Sequence, residues 1–207
     1  VAGQEKMSLI LPLDVTDAAV FAPTLATIQS AWGGLDLAIF CAGTYRPMRA
    51  WTINAADARQ TFETNVLAVM NGVAALVPLL SAQGQGGIAL VASVAGYRGL
   101  PRALAYGASK AALINFAEAL YLDLHPRGIG VTLINPGFVA TPLTAQNEFT
   151  MPALITPMQA VDYILAGFAR GAFEIHFPRR FSGFLKLLRL LPTRLYFWML
   201  KNVAKDS

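Results

Sequence analysis

Tyr106 and Lys110 stand four residues apart at the head of a strong helical pattern, Tyr106-Gly107-Ala108-Ser109-Lys110, so a phenol and an ammonium stack on one helical face. A tyrosine is a poor proton donor or acceptor near neutral pH because its reference pKa is about 10, but a neighbouring cation favours the phenolate and pulls that value down. The pair is expected to serve general acid/base chemistry. Upstream, Ser93 follows a strand pattern inside Ala92-Ser93-Val94-Ala95-Gly96, a position from which its hydroxyl can hydrogen-bond a substrate oxygen. Asn65 interrupts the apolar run Phe62-Glu63-Thr64-Asn65-Val66-Leu67. An asparagine inside a helix competes for backbone hydrogen bonds and lowers helix propensity, so its presence calls for a reason.

Chemistry of this kind needs elements that bring distant residues together. Short apolar runs at Ser8–Leu13, Leu35–Cys41, Gly87–Ala92, Ile129–Asn135 and Phe173–Phe177 alternate with helical patterns at about 18–32, 55–80, 105–125 and 156–170. That alternation predicts βαβ units and a parallel sheet covered on both faces, in one α/β domain over residues 1–178. Asp17, Asn54 and Thr156 fall where helix N-caps are expected. Ligands of an open parallel sheet bind at the carboxyl ends of its strands. The loops there read Asp14-Val15, Cys41-Ala42-Gly43, Ala92 to Gly96 and Asn135-Pro136-Gly137, all of small or polar residues that admit a flat ligand.

In order and spacing, Leu13-Asp14-Val15, Cys41-Ala42-Gly43, Asn65, Ser93, Tyr106-x-x-x-Lys110 and Pro136-Gly137-Phe138-Val139-Ala140-Thr141 resemble the classical short-chain dehydrogenases/reductases over about residues 8–178. The resemblance implies a Rossmann-type doubly wound sheet and hydride transfer between NAD or NADP and a secondary alcohol or ketone. It implies Tyr106 as the acid/base, Ser93 as the holder of the substrate oxygen, Lys110 as the group that lowers the Tyr106 pKa and holds the nicotinamide ribose, and Asn65 as the anchor of a relay water. For the cofactor it implies contacts from Asp14 and Val15 at the adenine, from the Cys41-Ala42-Gly43 turn, and from Pro136, Gly137, Val139 and Thr141 on the nicotinamide side. A homodimer or homotetramer built on the two long helices follows from the same source. Family members open with a strand, a Gly-rich phosphate-binding turn, a helix and a second strand. No such unit precedes Val1, so the expectation is either a longer parent protein or an impaired truncation, and the choice between NAD and NADP is not legible. The alternative function is a scaffold or membrane-surface binding protein that kept the site residues without the chemistry.

Composition narrows the remaining classes. The 207 residues are 55% apolar and only 14% charged, enough for one sizeable core. Of the basic residues, Arg179, Arg180, Lys186, Arg189, Arg194, Lys201 and Lys205 all fall after position 178, so the net charge of +4 belongs to the tail rather than to a nucleic-acid face. The lone Cys41 cannot form an internal disulfide and is expected as a small buried core residue, which fits a reducing cytoplasm. Val1–Lys6 is too polar to open a signal peptide. His125 and His176 lack companions for a metal site and are expected to be structural. Residues 138–158 form a long connection with Phe149, Met151, Leu154 and Ile155, suited to a lid and hinting at an apolar substrate. Beyond residue 178, Phe181–Leu200 is apolar and basic, and Lys186, Arg189 and Arg194 make a membrane span costly. The tail suits either the surface of an anionic membrane or the cover of a protein face. Its phase predicts a polar stripe of Lys186, Arg189, Thr193 and Tyr196, with Pro192 splitting the helix.

Overall fold

The computed structural model describes residues 8–147 and 149–201; the polar opening Val1–Lys6 and Lys205 lie outside them. Four strands, β1 (Leu37–Phe40), β2 (Gly86–Val91), β3 (Ile129–Pro136) and β4 (Glu174–Phe177), pair in that order, all parallel. Parallel neighbours need crossovers, and helices supply them: α1 (Phe21–Trp32) before β1, α2 (Ala55–Phe62) and α3 (Ala68–Gln83) between β1 and β2, α4 (Leu104–Leu124) before β3 and α5 (Pro157–Phe168) before β4. The expected α/β class and parallel sheet are present. Asn54 caps α2 and Thr156 caps α5, while Asp17 caps the single turn Ala18–Val20 ahead of α1.

The core follows from two-sided burial of the sheet. Ile88, Leu90, Ile129, Val131 and Leu133 of β2 and β3 pack with Val73, Leu76 and Leu80 of α3 and Leu113 of α4. On the other face Ala89 and Ile134 meet Ala160 of α5 and Ile175 and Phe177 of β4. The helical stretch 55–83 is long and apolar enough to cross a bilayer, but here Val69, Val73, Leu76 and Leu80 from it fill this core.

Three expectations are corrected. Ser8–Leu13 is no strand: it has strand-like composition but pairs with no described strand, and a strand exists only within a ladder. Cys41 is exposed rather than buried, because it lies just past the end of the edge strand β1. In the tail, the break at Pro192 is present, between α6 (Arg179–Arg189) and α7 (Thr193–Leu200), but the stripe does not face solvent throughout. Tyr196 is buried and donates to Gly99 O at 2.7 Å, Lys186 pairs with Glu174 at 2.5 Å, and Thr193 Oγ1 accepts from Arg98 at 3.4 Å. Tyr196 and, in part, Lys186 turn towards the domain because it supplies polar partners there, while Arg189 and Thr193 stay exposed.

Candidate functional site

Asn65 sits in a wide helical turn, Glu63–Leu67, between α2 and α3. Such π-type turns carry one extra residue and often mark functional sites. The turn accounts for the mid-helix asparagine. Fully buried, Asn65 donates through Nδ2 to Thr44 O at 2.9 Å and to Ser109 Oγ at 3.0 Å, and accepts through Oδ1 from Thr44 N at 2.8 Å. It therefore staples the loop after β1 to α4. Ser109, itself buried, donates to Tyr106 O at 2.7 Å. Nothing in the spacing singled out Ser109 or Thr44, since their role is a contact between segments far apart in sequence.

Lys110 is buried one helical turn beyond Tyr106, with its ammonium donating to Val91 O at 2.8 Å and lying 5.7 Å from the centre of the Tyr106 ring. Gly43 passes beside it: a Cβ at that position would stand 3.4 Å from Asn65 Oδ1 and 3.6 Å from Lys110 Nζ. The turn thus leaves a bare backbone against the ammonium, the fit a flat ring or a ribose needs. Cys41 and Ala42 instead line a small cleft of about 120 Å³ with Val15, Phe40 and Thr64. Asp14 is exposed and bound to its own turn, its carboxylate accepting from Thr16 N at 2.9 Å and Thr16 Oγ1 at 2.7 Å, bonds that hold its pKa below the usual value.

Ser93, just past the end of β2, lines a larger cavity together with Tyr106. Its hydroxyl accepts from Ala95 N at 3.1 Å and donates to Pro136 O at 3.4 Å, which ties it to the last residue of β3. Gly137 lines the same cavity and donates its N–H to Phe177 O at 2.7 Å. Val139 and Thr141 are further along: Val139 bridges to Ile155, its carbonyl accepts from Thr144 Oγ1 at 2.5 Å, and Thr141 closes a turn with Thr144. Phe138, Leu143, Asn147 and Phe149 of this connection line the cavity, whereas Met151, Leu154 and Ile155 do not. Tyr45, which sequence reasoning missed, packs edge-on against Tyr106 with ring centres 4.9 Å apart and donates to Asn147 Oδ1 at 3.1 Å. His125 stacks on Tyr121 and His176 Nδ1 shares a hydrogen bond with Ser182.

Electrostatics depart from the spacing argument. Burial pushes the Tyr106 phenol above its ordinary pKa; the adjacent Ser93 hydroxyl offsets this only in part, and the ammonium does not invert it. Burial also lowers Lys110 to about 8. Because the folded value lies below the unfolded reference of about 10.4, the unfolded chain binds more protons between about pH 8 and 10, so stability rises with pH there. Tyr45 and Tyr106, both raised, act in the opposite sense only above about pH 10, where unfolded tyrosines ionise. Urea midpoints measured from about pH 7.5 to 9.5 should climb for the wild type and stay flatter for Lys110→Met. Parallel profiles would remove the assignment to Lys110.

The model of the family described as short chain dehydrogenase matches residues 2–151. An uncharacterized oxidoreductase of Myxococcus xanthus is 36% identical over 184 residues, covering 89% of this chain and 73% of that protein. Among solved structures, a short chain dehydrogenase/reductase from Burkholderia phymatum in complex with NAD aligns with a TM-score of 0.73 at 24% identity, covering 84% of this chain and 72% of that one. ElxO with NADP bound aligns with a TM-score of 0.70 at 22% identity, covering 79% and 75%. At these identities the two structures speak for the fold.

Proposed function

Because this chain belongs to the short-chain dehydrogenase family and is an oxidoreductase by that membership, we propose that it moves hydride between NAD or NADP and a secondary alcohol or ketone, with Tyr106 as the general acid/base. One observation carries the reading: Ser93 and Tyr106 open onto a single cavity, while Asn65 and Lys110 are buried directly behind them. Lys110 and the bare backbone at Gly43 would hold the ribose side of the cofactor, with Gly137, Val139 and Thr141 on the nicotinamide side and Val15, Cys41 and Ala42 further along the sheet edge. Asp14 would reach the adenine. The bound cofactor supplies or accepts the hydride.

The protein's own part is to hold and polarise. As a carbonyl is reduced, negative charge gathers on its oxygen, and hydroxyls donated by Ser93 and Tyr106 stabilise that charge most in the transition state. Tyr106 then delivers its proton, and Lys110, with a water held near Asn65, returns one. The raised phenol pKa keeps Tyr106 protonated and ready to donate at neutral pH. Consumption of NADH or NADPH with ketones, recorded for wild type and for the Tyr106 variant discussed below, tests the reading.

Residues 1–178 would form the catalytic domain and 179–207 its tail, of which α6 packs against β4. Assembly into a dimer or tetramer would use the flanks of α2, α3 and α4, where Phe62, Leu67 and Leu122 are exposed. A monomeric mass by light scattering at micromolar concentration would contradict this. The outer side of α6 and α7 exposes Leu187, Leu190, Phe197 and Trp198, and residues 179–201 hold Arg180, Arg189, Arg194 and Lys201 without one acidic side chain. That pattern suits peripheral contact of a cytoplasmic enzyme with anionic membranes. Co-sedimentation with anionic liposomes should fall with added salt and drop in Leu190→Glu/Trp198→Glu; equal pelleting of the two proteins would sink the idea.

A further inference from the structure

The cavity that receives Ser93 and Tyr106 has a volume of about 430 Å³, within the range of small-molecule sites. Most of its lining is aromatic and aliphatic, and the tail contributes a large share: Phe181, Phe184, Leu185, Leu188 and Leu200. Phe138, from the loop after β3, meets the ring of Phe181 at 5.8 Å and that of Phe149 at 5.8 Å, so loop and tail close upon each other.

This wall is built rather than loosely laid down. Arg98, two residues past the Ser93 loop, donates to Leu188 O at 2.8 Å and Leu191 O at 2.7 Å and lies 4.0 Å above the Tyr196 ring. It thereby binds carbonyls in and just past the last turn of α6. Near the same end of α6, the Glu174 carboxylate accepts from Lys186 of the last turn, from Tyr97 at 2.6 Å and from Asn135 at 2.8 Å. Burial pushes Glu174 upward, but those three hydrogen bonds outweigh it and hold the carboxyl below its ordinary pKa. The polar groups in the cavity are those of Tyr45, Ser93, Tyr106, Thr144, Asn147 and Thr150, and its charged lining residue among those described is Arg102, which acts on Tyr45.

We infer that the substrate is a ketone or secondary alcohol attached to an uncharged apolar body, an alkyl or alicyclic chain, and that α6 and α7 are the element that recognises it. The inference rests on the oxidoreductase reading above. Arg102 is one cation, so a phosphorylated or doubly charged body would still bury charge against phenyl and leucyl surfaces, which is costly. An alkyl chain is instead drawn in by the area it removes from water.

Methyl ketones of increasing chain length, assayed on the whole protein with NADH and NADPH, should gain about fourfold in kcat/KM for each added methylene until the cavity is filled. The same ketones should displace the neutral fluorophore N-phenylnaphthylamine, a readout independent of turnover. Leu185→Asn should cost the long-chain ketone about tenfold more in kcat/KM than it costs acetone, chiefly through KM. Turnover of acetone as good as that of long ketones, with no displacement of the fluorophore, overturns the inference and leaves the oxidoreductase reading standing. Displacement by long ketones without cofactor-linked turnover of any alcohol or ketone defeats the oxidoreductase reading while keeping the apolar ligand. Neither turnover nor displacement removes both.

Discussion

Tyr106→Phe is expected to lower kcat/KM for NAD(P)-linked ketone reduction by about a hundredfold to ten-thousandfold, the range associated with a positioned proton donor. One oxygen is removed. The ring remains edge-on to Tyr45 and the helix around it is untouched, so the thermal midpoint should stay close to that of the wild type. Ser93 loses a neighbouring hydroxyl but keeps its bonds to Ala95 and Pro136. The paired measurement is steady-state kinetics and a melting curve on the same preparations. Activity within about tenfold of wild type would show that the proton comes from elsewhere.

Gly96→Ala should act through the fold rather than the chemistry. A Cβ there would come within 2.6 Å of the Lys110 carbonyl carbon, 2.8 Å of Ala111 N and 2.8 Å of Ile114 Cδ1. Two of those atoms are helix backbone, which cannot swing aside as a side-chain end does. The turn Val94–Gly96 must be pushed off α4, and overpacking of this kind costs about 1–3 kcal/mol. Because that turn carries Ser93 and α4 carries Tyr106, the same displacement separates the two hydroxyls. Lower urea stability together with a fall in kcat is the expected result; a variant as stable as the wild type would mean the turn and the helix are not in this contact.

Much of this was legible in the residues. β2, β3 and β4 and the helices between them followed from apolar runs and caps, with ends displaced by a residue or two because a strand stops where its ladder stops. Ser8–Leu13 failed for the same reason, since composition says nothing about whether a partner strand is in reach. Asn65, Ser93, Tyr106 and Lys110 could be picked out by type and spacing, yet the contacts that join them could not. Ser109 and Thr44 meet Asn65 only after folding, and Tyr45 meets Tyr106 across a loop. The direction of the Tyr106 pKa was misjudged because spacing reports a neighbouring charge but not the loss of water around the phenol. The tail showed its phase, but which side faces protein depends on Arg98 and Glu174, remote in sequence.

The wide turn at Glu63–Leu67 has a consequence for how this chain can be altered. One surplus residue rotates everything beyond it by about a hundred degrees around the helix axis. α2 can therefore lie against α4 while α3, continuous with it, lies against α1 and β2. Deleting a residue within the turn would leave a more regular helix and a cleaner hydrogen-bond ladder, and would also put one half of that helix out of phase with its neighbours. The irregularity works as a phase adjuster: a single rod serves two differently oriented neighbours, and the place where its phase changes is the place that holds Asn65.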